Sequence, residues 1–306
     1  MPNEIDKIGL ETPVPENETH SGVAKYAVQP TSGEVITSLA TGNSYTMGEK
    51  IGEGSFGIVY RCNDIWQNTL AAKVLKPIGT YEKVKTAAAA EFIKLLQLRN
   101  PFITFVYDAF EYRDTFYIIT ECCFCPISSL FAMEKFNGIL WLVPIARCLL
   151  QAVHYLHINS YVHQDIHLGN VFAAVVKDEM MPESPGVIQF KLGDLGVARV
   201  LSEVDAKNTR AQWMLPPEVL NSSEYGPMDA RIDIYHVGLL FLQLAYSKEL
   251  RFTEEEILKG KPREMALSLP APYNFAIEKT LRRHVNFRTA NAMEIWRDFH
   301  TPSGQK

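Results

Sequence analysis

Three glycines in the stretch "IGEGSFGIVY", residues 51–60, do most to limit what this chain can fold into. The segments around them, "YTMGEKIGEG", "FGIVYRCND" and "TLAAKVLKP", read as short strands punctuated by Gly, Asn and Asp. Gly52, Gly54 and Gly57 therefore lie in a strand–loop–strand setting. Without Cβ atoms the backbone there can approach an anion, and its N–H groups can face phosphate oxygens. A dinucleotide-binding fingerprint requires a helix after its glycines, so that fold is excluded. Taken alone, the cluster is also what an ordinary hairpin turn looks like.

The next strand narrows the choice. Lys73 in "LAAKVLK" is flanked by Ala71, Ala72, Val74 and Leu75, which describe a buried strand. A lysine there requires an anionic partner. The segment that follows, "EKVKTAAAAEFIKLLQL", is predicted helical, with Ala88, Phe92, Leu95 and Leu96 at helical spacing and Pro101 beyond its end. Glu91 on that helix is the acid expected to pair with Lys73, since each charge buried alone is costly.

The rest of the chain supplies the outline. Residues 1–43 are rich in Pro, Glu, Ser, Thr and Gly without periodicity and are expected to be a flexible tail. "FITFVYDAFEYRDTFYIITECC" predicts two strands around a "YRD" turn, and strand-like pieces recur at 171–176 and 187–192. "WLVPIARCLLQAVHYLHINS" is an amphipathic helix, and the last third is helical. The expected architecture is α+β and bilobal: a β-rich lobe with one helix over 44–122, a hinge at 121–126, an α-rich lobe over 126–300 and a short tail at 301–306.

Charge and cysteine content exclude several classes. The 306 residues are 47% hydrophobic and carry a net charge of −5, which argues against bulk nucleic-acid binding. The most apolar run, "IDIYHVGLLFLQLAY", is short for a membrane span and holds Asp233 and His236, so a core helix is expected. The N-terminus has no secretory pattern. The five cysteines, three of them in "ECCFC", lack zinc-finger spacing and fit reduced thiols in the cytoplasm, with the nucleus as the alternative.

The chemistry is concentrated in "HQDIHLGN", residues 163–170. A carboxylate such as Asp165 can orient a substrate hydroxyl and accept its proton. The amide oxygen of Asn170 can ligate a hard cation, and Asp194 in "KLGDLGVAR" supplies a second carboxylate of that kind. Singly, each acid could equally be a turn or cap residue.

The order of these parts, glycine loop, strand lysine, helix glutamate, HxDxxxxN and then DxG, resembles the protein kinase family over residues 45 to about 300. The resemblance implies a role for each matching position. Ile51, Gly52, Gly54, Ser55 and Gly57 would cover ATP, and Lys73, paired with Glu91, would hold its α- and β-phosphates. Asp165 would be the base, and Asn170 and Asp194 would hold Mg²⁺, with Mn²⁺ as a substitute. Thr120 would be the gatekeeper, Glu121 and Cys123 would bond adenine through their backbones, and Val59, Ala71 and Phe172 would sandwich the base. "PPEVL", "RIDIYHVGLL" and "LRRHVNFRTANAMEIW" match the family's structural positions, giving Glu218, Asp233 and Arg288, with Arg288 the partner of Glu218.

The chain departs from the family pattern at two basic positions. Gln164 replaces an arginine that often binds activation-segment phosphate; a neutral amide cannot make that charge-assisted bond, so activity is expected not to require the phosphate. His167 replaces a lysine that faces the transferred phosphoryl group, and it can still donate a hydrogen bond. Leu195 in DLG is read as conservative packing. Transfer to a Ser or Thr hydroxyl of a protein is favoured over Tyr. Two alternatives stay open: an inactive scaffold of the same fold, and a small-molecule kinase, since "HxDxHxGN" is also the pattern of aminoglycoside and choline phosphotransferases. The tail offers a docking segment for a partner.

Overall fold

The computed structural model describes residues 28–54, 57–76, 80–177, 180, 183, 185–204 and 214–300. The chain divides into two units. Residues 1–99 with 105–122 form the first, and residues 100–104 with 123–306 form the second.

The first unit is a six-stranded antiparallel sheet in the order β1-β2-β3-β4-β6-β5 with one helix. The strands are β1 (Val35–Thr37), β2 (Ser44–Glu53), β3 (Gly57–Asp64), β4 (Thr69–Leu75), β5 (Val106–Tyr112) and β6 (Thr115–Glu121), and α1 spans Tyr81–Gln97. Alternate residues from one face make the core: Ile36, Tyr45, Met47, Ile58, Tyr60, Leu70, Ala72, Val74, Phe110, Tyr117 and Ile119. The period of two puts Ala71 and Lys73 of β4 on the opposite face. Lys73 stands opposite Val59 of β3 and Ile118 of β6. The hairpin between β5 and β6 turns on Arg113 and Asp114, both left-handed, at φ 52° and 56°. That is the backbone a two-residue hairpin of right-twisted strands requires. Helix α1 is started by Thr80, whose side chain accepts the Lys83 N–H.

One expectation needs correction. Val35–Thr37, inside the segment read as a tail, pair in register with Ser44–Thr46, and Ile36 is fully buried. Ordered backbone thus begins ahead of residue 44.

The second unit is mostly helical. Its strands are β7 (Cys125–Pro126), β8 (Tyr161–Val162), β9 (Val171–Val176), β10 (Val187–Leu192) and β11 (Arg199–Val200). They make a three-stranded sheet in the order β10-β9-β7 and a separate β11-β8 pair. The helices are α2 (Gly138–Ile158), α3 (Pro217–Leu220), α4 (Ser222–Tyr225), α5 (Arg231–Tyr246), α6 (Glu254–Lys259), α7 (Lys261–Leu267), α8 (Tyr273–Thr280) and α9 (Ala292–His300). Helix α5 is the centre: every residue from Ile232 to Leu244 is buried. Gly138 opens α2 against α5, where any Cβ would collide with the Leu244 carbonyl. Helix α2 is long and apolar enough to cross a membrane by length and composition, but half of it is buried in this core, through Leu142, Ile145, Leu149, Val153 and Leu156 among others.

Candidate active site

The segment 163–170 is a loop between β8 and β9, and its backbone is fixed from α5. Asp233 is fully buried. Its Oδ2 accepts the His163 N–H and its Oδ1 the Gln164 N–H, each at 2.8 Å. The imidazole of His157, on the last turn of α2, lies 2.9 Å from the same Oδ2. Burial works against the charge, but His157, His163 and the backbone donor outweigh it and hold the Asp233 carboxyl below its ordinary range. Gln164 adopts φ 67° and is buried, so the loop turns sharply at this point.

Asp165 follows from that turn. Its N–H meets His163 Nδ1 at 3.3 Å, while His163 Nε2 donates to the Gly193 carbonyl at 3.0 Å. The two contacts define one tautomer, with the proton on Nε2. Asn170 Nδ2 donates to the Asp165 carbonyl at 2.9 Å and to its Oδ2 at 3.2 Å. His167 Nε2 stands 3.6 Å from Asp165 Oδ2, an ion-pair separation longer than a hydrogen bond. Its other nitrogen, Nδ1, accepts the Gly169 N–H at 3.0 Å. A Cβ on residue 169 would fall 2.9 Å from that ring, so the glycine gives the imidazole its seat. Burial opposes ionisation of Asp165, yet His167, His163 and His236 together keep its carboxyl below the ordinary value.

Asp194 lies directly after β10 and is joined to this group through the backbone, where Gly193 N–H donates to the Asn170 carbonyl at 2.8 Å. It too is left-handed, at φ 58°, and its Oδ1 accepts the Gly196 N–H at 3.4 Å. Leu195 is fully buried beside it. A Cβ on residue 193 would fall 2.7 Å from the Phe172 ring, so Gly193 lets that ring lie against the turn. The donor set fits a hard cation. Because the Asn170 amide nitrogen is spent on Asp165, its Oδ1 remains as an acceptor, and Asp194 adds carboxylate oxygen.

In the first unit, Gly52, Gly54 and Gly57 flank the β2–β3 turn, which Gly54 N–H closes on the Gly57 carbonyl at 2.9 Å. A Cβ at Gly54 would meet open space, whereas one at Gly57 would come 2.8 Å from the Val74 carbonyl. Ile51 is exposed, Val59 and Lys73 are half-buried and Ala71 is buried. Thr120 Oγ1 donates to the Glu121 carbonyl at 3.3 Å. Glu121 N–H donates to the Phe105 carbonyl, and Glu121 Oε1 accepts the Phe105 N–H at 2.6 Å. Cys123, in the second unit, is half-buried. Ser55 and the Glu91 side chain lie outside the described residues.

The pair assigned to the structural motifs meets. Arg288 donates to Glu218 through two nitrogens, at 2.6 and 2.7 Å, with both side chains fully buried. Arg288 also donates to the carbonyls of Arg231, Arg282 and Arg283. One histidine was missed in the sequence, and a second was read there only as part of a core helix. His157 could have been found by asking what a buried Asp233 is paired with. His236 lies on α5, buried, with its Nδ1 lacking a hydrogen-bond partner among the described residues. Its pKa is lowered, by burial above all.

The family described as protein kinase domain matches residues 45–288. The chain is 30% identical over 203 residues to serine/threonine-protein kinase TAO2 of Xenopus laevis, a match covering 65% of this chain and 18% of that protein. It is 29% identical over 202 residues to TAO3 of Mus musculus and 26% identical over 202 residues to TAO2 of Homo sapiens. Each of these covers 65% of this chain, and they cover 21% and 15% of those proteins. The aligned part thus spans about a fifth or less of these relatives' length.

Proposed function

The chain belongs to the protein kinase family, and from that premise we propose that it transfers the γ-phosphoryl group of ATP to a Ser or Thr hydroxyl of a protein substrate, with Mg²⁺ as the metal. One observation carries the reading: Asp165 is held by Asn170 and faced by His167 on a loop anchored by Asp233. Mg·ATP, when bound, supplies the phosphoryl group and most of the charge neutralisation. Asp165 orients the acceptor hydroxyl and takes its proton. Asn170 Oδ1 and Asp194 would hold the metal, and Lys73 and the glycine loop would hold the phosphates. His167 presents Nε2 beside Asp165 as a donor toward the transferring group, in the role of the lysine it replaces.

A small-molecule kinase remains the second reading, on the strength of the His167 position. The Glu218–Arg288 pair, which supports the peptide-substrate platform in protein kinases, favours the first. Activity without activation-segment phosphate is part of the proposal and rests on Gln164; residues 205–213 of that segment lie outside the described residues. The scattered cysteine set, without zinc-finger spacing, supports a cytoplasmic or nuclear site. A docking role for the N-terminal segment concerns residues 1–27, which also lie outside them.

The test is intact-mass analysis and turnover of phosphatase-treated protein with Mg·ATP, beside Asp165→Asn, against protein, aminoglycoside and amino-alcohol acceptors. Phosphate appearing on protein with the wild type alone is the expected result. Equal incorporation by the variant, or none by either, would refute phosphoryl transfer through Asp165. Transfer confined to amino alcohols or aminoglycosides would move the assignment to the second reading. Turnover only after prior phosphorylation would remove the role given to Gln164.

A further inference from the structure

The β2–β3 turn is held by a charged clamp that the family's motif does not contain. Lys76, one residue beyond β4, donates from Nζ to Glu53 Oε1 at 2.7 Å and to the Gly54 carbonyl at 2.9 Å. Glu53 Oε2 accepts a second ammonium, Lys50 Nζ, at 2.5 Å. The two lysines hold the Glu53 carboxyl down at about 2. Glu53 and Gly54 are the last residues before the turn, and β2 is irregular as it approaches them, with register shifts between Met47 and Lys50 and between Lys50 and Gly52. Pairing resumes only at Gly52 and Glu53, opposite Val59 and Ile58, just before the turn. On the far side of the turn Gly57 already lies against β4, with no room for a Cβ beside the Val74 carbonyl. On the near side a Cβ at Gly54 would meet open space, and Lys76 holds its carbonyl by a side-chain bond.

We propose that Lys76 is a positioning residue for nucleotide binding. It ties the near arm of the glycine loop to the end of β4, so that both arms are referenced to the strand bearing Lys73. The Gly54 carbonyl, which would repel phosphate oxygens, is turned onto an ammonium, and its own N–H is spent on closing the turn, so phosphate contact falls to the loop's other donors. Glu53 is the relay: it cancels the second charge of Lys50 and keeps the Lys76 stem extended. Because the clamp is half exposed, its effect is modest and salt-sensitive.

The consequence for nucleotide use rests on the kinase reading above, so the test has one arm that does not. Hydrogen–deuterium exchange of the peptide spanning residues 52–58, without nucleotide, should speed up in Lys76→Met and return to the wild-type rate in Lys76→Arg. Glu53→Gln should show a partial increase. In steady-state kinetics Lys76→Met should raise KM for ATP about threefold to fivefold at low salt, the range set by an exposed ion pair and one added hydrogen bond, with kcat within about twofold. Unchanged exchange in Lys76→Met would overturn the clamp whether or not the protein turns over. Faster exchange with unchanged KM would overturn its positioning role, and so would a loss carried by kcat alone. A wild type without turnover would remove the kinase reading and the positioning role with it, leaving the exchange arm to decide the clamp.

Discussion

Replacing Asp233 with alanine is expected to cost the protein about 3–5 kcal/mol and most of its activity. The carboxylate is fully buried and receives two backbone N–H groups at 2.8 Å and an imidazole nitrogen at 2.9 Å. Each hydrogen bond to a charged group is worth roughly 1.5–3 kcal/mol, and each amide left buried without a partner costs about 1–3 kcal/mol. The simple sum overshoots, because removing the carboxylate also removes its own desolvation cost. Breaking one side of a buried charged network usually leaves a net loss of about 3–5 kcal/mol. For a chain of this size that lowers the melting temperature by on the order of 10 °C. Asparagine is not a conservative replacement. It keeps one acceptor oxygen and aims an NH₂ group at one of the two amide donors, so about half the loss is expected.

The assay is thermal unfolding followed by circular dichroism, with turnover measured on the same samples. Turnover should fall by about 100-fold or more in Asp233→Ala, because Asp165 lies on the loop that loses its anchor and small displacements of a catalytic group are costly. The sign with pH is fixed as well. The carboxyl of Asp233 is depressed in the fold, so its contribution is complete above the ordinary value of 3.8 and is lost as pH falls through the lower folded value. The difference between wild type and variant should therefore narrow only in acid below 3.8. A variant melting within about 2 °C of wild type at neutral pH, with turnover intact, would refute the view that this carboxylate organises the loop.

Two further outcomes are expected. Glu218→Ala or Arg288→Ala alone should each destabilise by about 3–5 kcal/mol in denaturant unfolding, while the double variant Glu218→Leu/Arg288→Met should lose less than either, since no buried charge is then left unmatched. His236, faced by Asp233 on its own helix, by Asp165 and His167 on the catalytic loop and by Glu218 on α3, has a pKa lowered by burial from 6.5. The unfolded chain takes up that proton first, so stability should decline as pH drops below 6.5, and His236→Phe should flatten the slope of melting temperature on the acid side of 6.5.

Local pattern made much of this architecture legible. The strand-like pieces "VFAAVV" and "VIQFKL" marked β9 and β10, and the alanine-rich helix fell where its spacing placed it. The "YRD" turn was readable from its flanks, although neither central residue is the Gly or Asn that left-handed backbone favours. What escaped depends on partners distant in sequence. Strand β1 is three residues in a Pro-, Ser- and Thr-rich segment, and only pairing with β2 and the burial of Ile36 make it a strand. His157 looks like one more polar residue at a helix end until the carboxylate of Asp233 is placed against it. The Lys76–Glu53 contact likewise joins residues separated by two strands, and Lys76 belongs to no motif read in the sequence.

The two departures from the family's basic residues have a common physical rationale in this loop. A loop whose conformation depended on an arginine at position 164 would need an external anion to hold it. Here the Gln164 backbone amide, in a left-handed turn, is bonded to a carboxylate of the core helix. The position of Asp165 is thus set by the fold itself, through Asp233 beneath it and Asn170 beside it. At position 167, the Gly169 N–H occupies Nδ1 and leaves Nε2 as the nitrogen presented to Asp165. A histidine held in that way donates a hydrogen bond in its neutral form and adds charge when protonated, so it can stand in for lysine as a donor without being permanently cationic. Swapping His167 for lysine would exchange a seated ring for a flexible ammonium, and the gain in charge would be offset by the loss of the Gly169 bond that fixes its direction.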